Sequence, residues 1–114
     1  MTIEDFVILW LSGRLPVRVS ADVPSPMPAA FVTVEKTSAS EVNRISSARI
    51  AVQCWAESRD AAAQLCAQVE QVMTGISAEP EISRCVLDTS YNFPDLERKR
   101  PRYQAVFALT HFLS

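Results

Sequence analysis

The stretch from Arg49 to Val69 constrains the fold of this chain more than any other. Its first part favours a β-strand that ends at Ala56, because β-branched and aromatic residues are enriched in strands. Ser58 is a typical N-cap for a helix, and apolar side chains then recur at helical spacing as far as Ile76. The connection between the two patterns is too short for a catalytic loop. The stretch therefore predicts a helix joined tightly to a sheet.

Patterns on either side extend this into one α+β domain over residues 1–114, a length that supports a single hydrophobic core. We predict a mostly antiparallel sheet of four to five strands with two helices packed on it, in the order α-β-β-β-α-β-β. Gly13 is expected to end the first helix in the left-handed conformation. The predicted elements are a helix at Ile3–Ser12, strands at Pro16–Ser20, Phe31–Thr37 and Ala48–Ala56, a helix from Ser58 to Gly75, and strands at Glu81–Ser90 and Arg102–Leu113.

Two polar segments are predicted to connect these elements. The segment Ser38–Ser47 has the composition of a mobile hairpin loop. The segment Asn92–Pro101, named the charged connector below, is bracketed by Pro94 and Pro101, which restrict its conformations. It is expected to lie exposed on the isolated subunit, where reversing the charges of its cations would change stability little.

Two features indicate contact with another copy of the chain. The last strand is apolar on both faces, with Phe107 and Leu109 on one and Val106 and Ala108 on the other. Two helices cover one face of a small sheet more easily than they cover both faces. Part of the second face is therefore expected to be buried by another copy. The first helix has almost no polar side, which fits either a core helix under the sheet or a helix that also contacts a neighbouring subunit. In the second case Phe6 and Trp10 are candidates for the contact.

The residue inventory argues against an enzyme. Only two glycines are present, which excludes glycine-rich phosphate and dinucleotide loops. The single histidine, His111, is expected at the surface, and Cys54 and Cys66 are expected as small buried hydrophobes. No sequence spacing brings these residues or Cys85 together as a nucleophile pair or as metal ligands. We therefore expect no catalytic residue, metal or cofactor.

Charge favours a protein partner over a nucleic acid. The one basic cluster is Arg98–Arg102, but the formal net charge is −2 and acids such as Asp95 lie in the same segment. We interpret the cluster as a charged rim that docks on protein, and we expect no sequence-specific nucleic-acid binding. No apolar run approaches the roughly 20 residues of a membrane span, so no membrane partner is expected either.

The order of these features resembles the small tail-terminator (tail-completion) proteins of long-tailed, non-contractile bacteriophages and their prophages. The likeness spans essentially the whole chain and rests on structural residues. It includes the short first helix, the Val-Pro-x-Pro-x-Pro run at Val23–Pro28 before Phe31-Val-Thr-Val34, and a polar loop containing Asn43. It continues with Ala51-Val-Gln-Cys-Trp-Ala56 before an alanine-rich helix, Tyr91-Asn-Phe-Pro-Asp95, and Pro101-Arg-Tyr-Gln104 entering the last strand.

The resemblance implies a ring, of six copies, that caps the finished tail tube. Such a ring stops tube-protein polymerisation and offers the head a docking surface. The implied partners are the chain itself, the tail tube protein and the head–tail connector protein, and DNA passes through the ring. The implied location is the head-proximal end of the virion tail, after assembly in the bacterial cytoplasm.

Loops carry the contacts in such proteins, and here they depart from the family. Ser38-Ala-Ser-Glu41 and Leu96-Glu-Arg-Lys-Arg100 stand where related chains carry glycines, which implies a partner surface particular to this chain. The alternatives are a head–tail connector or other minor tail protein, or a small cytosolic ligand-binding α+β domain. The candidate subunit or tube contacts are Phe6, Trp10, Glu41, Asn43, Arg44, Asn92, Phe93, Asp95, Arg98, Lys99, Arg100 and Arg102.

Overall fold

The computed structural model describes residues 1–113 and confirms the predicted α+β fold. The sheet has five strands in the spatial order β1-β2-β3-β5-β4, with every pairing antiparallel except that of β1 with β2. The sheet is therefore mixed, although mostly antiparallel as predicted. The elements are α1 (Ile3–Ser12), β1 (Arg18–Ser20), β2 (Phe31–Val42), β3 (Ile45–Trp55), α2 (Arg59–Met73), a 3₁₀ turn (Ile76–Ala78), β4 (Ile82–Asn92) and β5 (Arg102–His111).

Both helices begin after a capping side chain, and the cap at Ser58 is the one predicted from the sequence. Thr2 Oγ1 accepts from Asp5 N at 3.1 Å, and Ser58 Oγ accepts from Ala61 N at the same distance. These side chains satisfy backbone donors that lack a partner within the helix. The end of α1 differs from the prediction, because Gly13 has φ −77° and is not left-handed.

The two helices cover one face of the sheet, and their apolar sides form a single core with it. Along β5 the residues facing this core alternate with half-buried residues on the opposite face, as the sequence predicts. Val106 and Ala108 lie on that second face, which carries no helix. His111 is only 4% exposed, so the prediction that it lies at the surface is wrong. It faces the core, and its Nδ1 accepts from Leu113 N at 3.1 Å.

The prediction of a long loop at Ser38–Ser47 is also wrong. β2 and β3 continue as paired strands to Val42 and Ile45, and a two-residue turn at Asn43 and Arg44 joins them. Both turn residues have positive φ, 53° and 67°, as a type I′ hairpin turn requires. Serine and alanine dominate this part of the hairpin, and the resulting lack of apolar alternation hides the strands from sequence analysis.

Candidate functional site: an assembly surface

The charged connector is a folded turn and not a freely exposed linker. Asp95 and Arg100 form a backbone bridge, with N–O distances of 3.1 and 3.0 Å. Asp95 is 8% exposed, and its carboxylate accepts from the backbone N–H of Arg98 and from the Arg98 guanidinium, each at 2.8 Å. Arg102 adds an ion pair at 3.6 Å. The prediction of an exposed connector is therefore wrong for Asp95, whose carboxylate organises the turn.

The electrostatics of Asp95 follow from these contacts. The backbone N–H of Arg98, followed by its guanidinium, holds the pKa of Asp95 below its ordinary value, although burial acts in the opposite direction. The carboxylate is consequently ionised at neutral pH. It serves as a structural acceptor for the turn.

Arg100 joins the connector to the rest of the domain. Its guanidinium donates to the carbonyl oxygens of Ala56 at 3.0 Å, Ala29 at 2.8 Å and Pro28. These carbonyls lie just after β3 and in the segment before β2. Arg100 is half-buried, so the prediction of an exposed connector is wrong for this residue too. Its side chain connects three separate parts of the chain.

Aromatic contacts hold the other side of the connector. The Arg102 guanidinium lies between two rings, 4.8 Å from the Trp55 centroid and 4.4 Å from the Phe93 centroid, and its Nε donates to Phe93 O at 2.7 Å. Trp55 in turn stacks on Phe31, with centroids 5.2 Å apart. Phe93 remains 41% exposed, so this stack extends from the buried interior to the surface.

A ladder of side-chain hydrogen bonds crosses the face of the sheet opposite the helices. Trp55 Nε1 donates to Thr33 Oγ1, which donates to Gln53 Oε1, both at 3.0 Å. Gln53 Nε2 then donates to Gln104 Oε1 at 2.9 Å, and Gln104 Nε2 donates to the Tyr91 hydroxyl at 2.6 Å. The ladder connects β2, β3, β5 and β4. Sequence analysis missed it because glutamines 51 positions apart meet only after the strands pair.

Helix α1 divides its apolar side chains between the core and the surface. Trp10 is half-buried, donates from Nε1 to Val72 O at 3.2 Å, and is covered by the Arg14 guanidinium at 3.2 Å. Phe6 is also half-buried, whereas Leu9 is 59% exposed. Sequence analysis named Phe6 and Trp10 but missed Leu9, which carries more of the exposed surface.

The remaining predicted contact residues are solvent-exposed. Glu41, Asn43 and Arg44 lie at the tip of the hairpin, far along the β2–β3 ladder from the connector. Asn92 ends β4, and Lys99 has a positive φ of 53° within the connector turn. The structure therefore separates the predicted residues into three places: the hairpin tip, the outer side of α1 and the charged connector.

The thiols are less isolated than the sequence suggests. Cys54 on β3 and Cys66 on α2 are both buried, and Cys66 Sγ lies 3.5 Å from Ser90 Oγ. Contact with Cys66 and burial both raise the pKa of Cys54, and burial raises that of Cys85 to about 11. The thiols of Cys54 and Cys85 are therefore protonated at neutral pH. The pKa of Cys66 shifts the other way, because its contact with Cys54 lowers it, although burial acts in the opposite direction.

The rest of the described chain presents open surfaces and not enclosed binding sites. Residues 1–113 contain no cluster of three or more histidine, cysteine or acidic side chains suited to a metal ion. The concavities found within this range are open troughs on the surface. No helix in the described range is long and apolar enough to cross a bilayer.

The chain matches no protein-family model and no curated protein sequence.

Proposed function

We propose that this chain is a phage tail terminator. In this role a ring of copies caps the tail tube, stops addition of tube protein and offers the head–tail connector a docking surface. The mechanism is steric and adhesive. One face of the ring matches the last tube ring, and the other lacks the surface that recruits a further tube subunit.

One observation carries the proposal: large apolar side chains are exposed on elements that are held firmly in place. Leu96 is 81% exposed on the bridged connector turn, Leu9 is 59% exposed on α1, and Phe112 is 61% exposed just after β5. Apolar groups exposed on a rigid scaffold suit a surface that binds other proteins, because little conformational freedom is lost on docking. The sequence resemblance supplies the identity of those proteins.

The test is tail-tube assembly with the tail tube protein of the phage or prophage that encodes this chain. We expect the purified chain to bind one end of the tubes, visible by electron microscopy with labelled protein, and to stop their elongation. The solution mass should correspond to a closed ring at least when tube ends are present. A protein that never decorates tube ends and leaves elongation unchanged would overturn the proposal.

Binding to the head–tail connector protein alone is a separate outcome of the same experiment. If the chain joins isolated heads but leaves tube growth unaffected, it is a head–tail joining protein and not a terminator. Both arms use the same labelled protein, so the two roles are distinguished directly.

A further inference from the structure

The most exposed large apolar side chain in the described range is Leu96, at 81%. It stands at the tip of the connector turn, which the Asp95–Arg100 bridge closes and the carboxylate of Asp95 braces. A leucine exposed on a flexible loop would lose much conformational freedom on docking. Leu96 is already held in position, which lowers that cost.

Two exposed cations line the surface beside this leucine, although its neighbour in sequence, Glu97, is an exposed acid. Lys99 lies in the same turn, and Arg59 at the start of α2 lines the same apolar surface as Pro94 and Pro101. Lys99 and Arg59 are exposed, and neither makes an ion pair within residues 1–113. Leu96 with these two cations is named the knob below.

A second apolar surface has the opposite charge at its edge. Met1, Phe6, Leu9, Trp10 and Leu113 line a groove along the outer side of α1. Glu79 and Glu81, just before β4, form part of its rim and make no ion pair within the described chain. Arg14 also lines the groove, but its guanidinium is stacked on Trp10 and donates to Trp10 O. This surface is named the α1 groove.

We propose that the knob of one copy enters the α1 groove of the next copy, with Leu96 among its apolar side chains. Arg59 and Lys99 then face Glu79 and Glu81 across the rim. This inference rests on the proposed ring and specifies its subunit contact. The knob and the groove are different surfaces, so the contact is head-to-tail. Head-to-tail contacts either close into a ring or continue as a filament.

A second copy is the favoured occupant because the two surfaces complement each other in two respects. An exposed apolar tip meets an apolar groove, and two unpaired cations meet two unpaired carboxylates. Charge complementarity of this kind fixes the register and excludes mismatched partners, since like charges in contact repel. The contact thus carries its own specificity.

The experiment uses two full-length charge-reversed proteins. The first carries Arg59→Glu and Lys99→Glu, and the second carries Glu79→Lys and Glu81→Lys. Each protein alone brings like charges together at every contact. We expect each to self-associate at least ~10-fold more weakly than wild type by light scattering. Mixed in equal amounts, the two proteins alternate around the assembly with opposite charges at every contact, and the wild-type mass should return.

The matched control carries Arg18→Glu and Arg84→Glu. It has the same change in net charge as the first reversed protein, at two exposed cations outside both surfaces, and it should assemble as wild type does. Circular dichroism of every protein establishes that the fold is retained. A Leu96→Asp protein provides a second measurement, since it removes the apolar tip without relying on rim charges.

Three results would overturn the inference. One is assembly of both reversed proteins at wild-type strength, and another is a mixture that does not recover. The third is a wild-type chain that stays monomeric at its solubility limit. The proposed terminator function is tested separately at tube ends. If the reversed proteins form wild-type rings but fail to bind the tube, the knob or groove faces the tube, and the subunit contact lies elsewhere.

Discussion

Asp95 illustrates how one side chain in a charged run can organise its surroundings. Its carboxylate accepts a backbone N–H and a guanidinium, and it is nearly buried. We expect Asp95→Asn to lower the free energy of unfolding by about 1–3 kcal/mol, since it weakens charge-assisted hydrogen bonds. Urea unfolding measures the loss. The control Glu97→Gln changes an exposed neighbouring acid and should stay within about 0.5 kcal/mol of wild type.

The pH dependence follows from the direction of the pKa shift. The pKa of Asp95 is lower in the folded state, so its stabilising effect is complete above the unfolded-state pKa of about 3.9. The effect disappears as the pH falls through the lower folded-state pKa. The gap in unfolding free energy between wild type and Asp95→Asn should therefore be largest near neutral pH and close in strong acid. A gap that is unchanged in acid would show that the carboxylate charge contributes nothing.

Arg100 and Lys99 are adjacent cations with different structural roles. Arg100 donates to three backbone carbonyls, whereas Lys99 is exposed and makes no ion pair in residues 1–113. We expect Arg100→Glu to cost roughly 2–4 kcal/mol, because it removes those donors and brings a carboxylate towards carbonyl oxygens. Lys99→Glu should cost under about 0.5 kcal/mol. Thermal unfolding of the two variants side by side compares them, and equal costs would contradict these roles.

At the scale of elements, the hairpin is the clearest departure from the sequence prediction. Its strands pair beyond the core, and a turn of two positive-φ residues closes it. Asn43 tolerates this conformation well, whereas a long side chain at Arg44 does so at a cost. Strand pairing here depends on turn geometry and backbone hydrogen bonds more than on apolar alternation.

That geometry predicts a stabilising substitution. Arg44→Gly should raise the free energy of unfolding by about 0.5–1 kcal/mol, because glycine adopts positive φ without steric cost. Hydrogen exchange of the hairpin amides, together with thermal unfolding, measures the gain. Ser46→Gly is the matched control within β3, where φ is not positive, and it should destabilise the hairpin. A gain from both substitutions would refute the assigned turn.

At the scale of the whole molecule, one core joins both helices to the sheet, and it encloses two thiols. Cys54 and Cys66 are 0% and 2% exposed, so an alkylating reagent reaches them only when the core opens. We expect their labelling in urea to coincide with the loss of helical circular dichroism. Cys85 is half-buried, with its pKa raised to about 11 by burial, and should react first, faster as the pH rises towards that value. Rapid labelling of Cys54 in the native protein would contradict a closed core.

The sequence by itself determined the elements whose signals are local. Capping side chains at Thr2 and Ser58 and the 3.6-residue periodicity of α2 depend on neighbours a few positions away. Alternation along β5 likewise follows from the pleat of a single strand. These features placed both helices and part of every strand, although β2 and β3 extend beyond their predicted bounds. They also made the connector and α1 candidates for the contact surface.

Tertiary structure alone decided which polar residues are structural and which remain free to bind. Arg100 and Lys99 have similar local contexts, and they differ because β3 and the segment before β2 bring carbonyls to Arg100 only. His111 is buried because the core-facing register of β5 places it there. The outward position of Leu96 depends on a turn closed by a bridge and ion pairs. Each outcome depends on contacts between residues distant in sequence, which local periodicity does not encode.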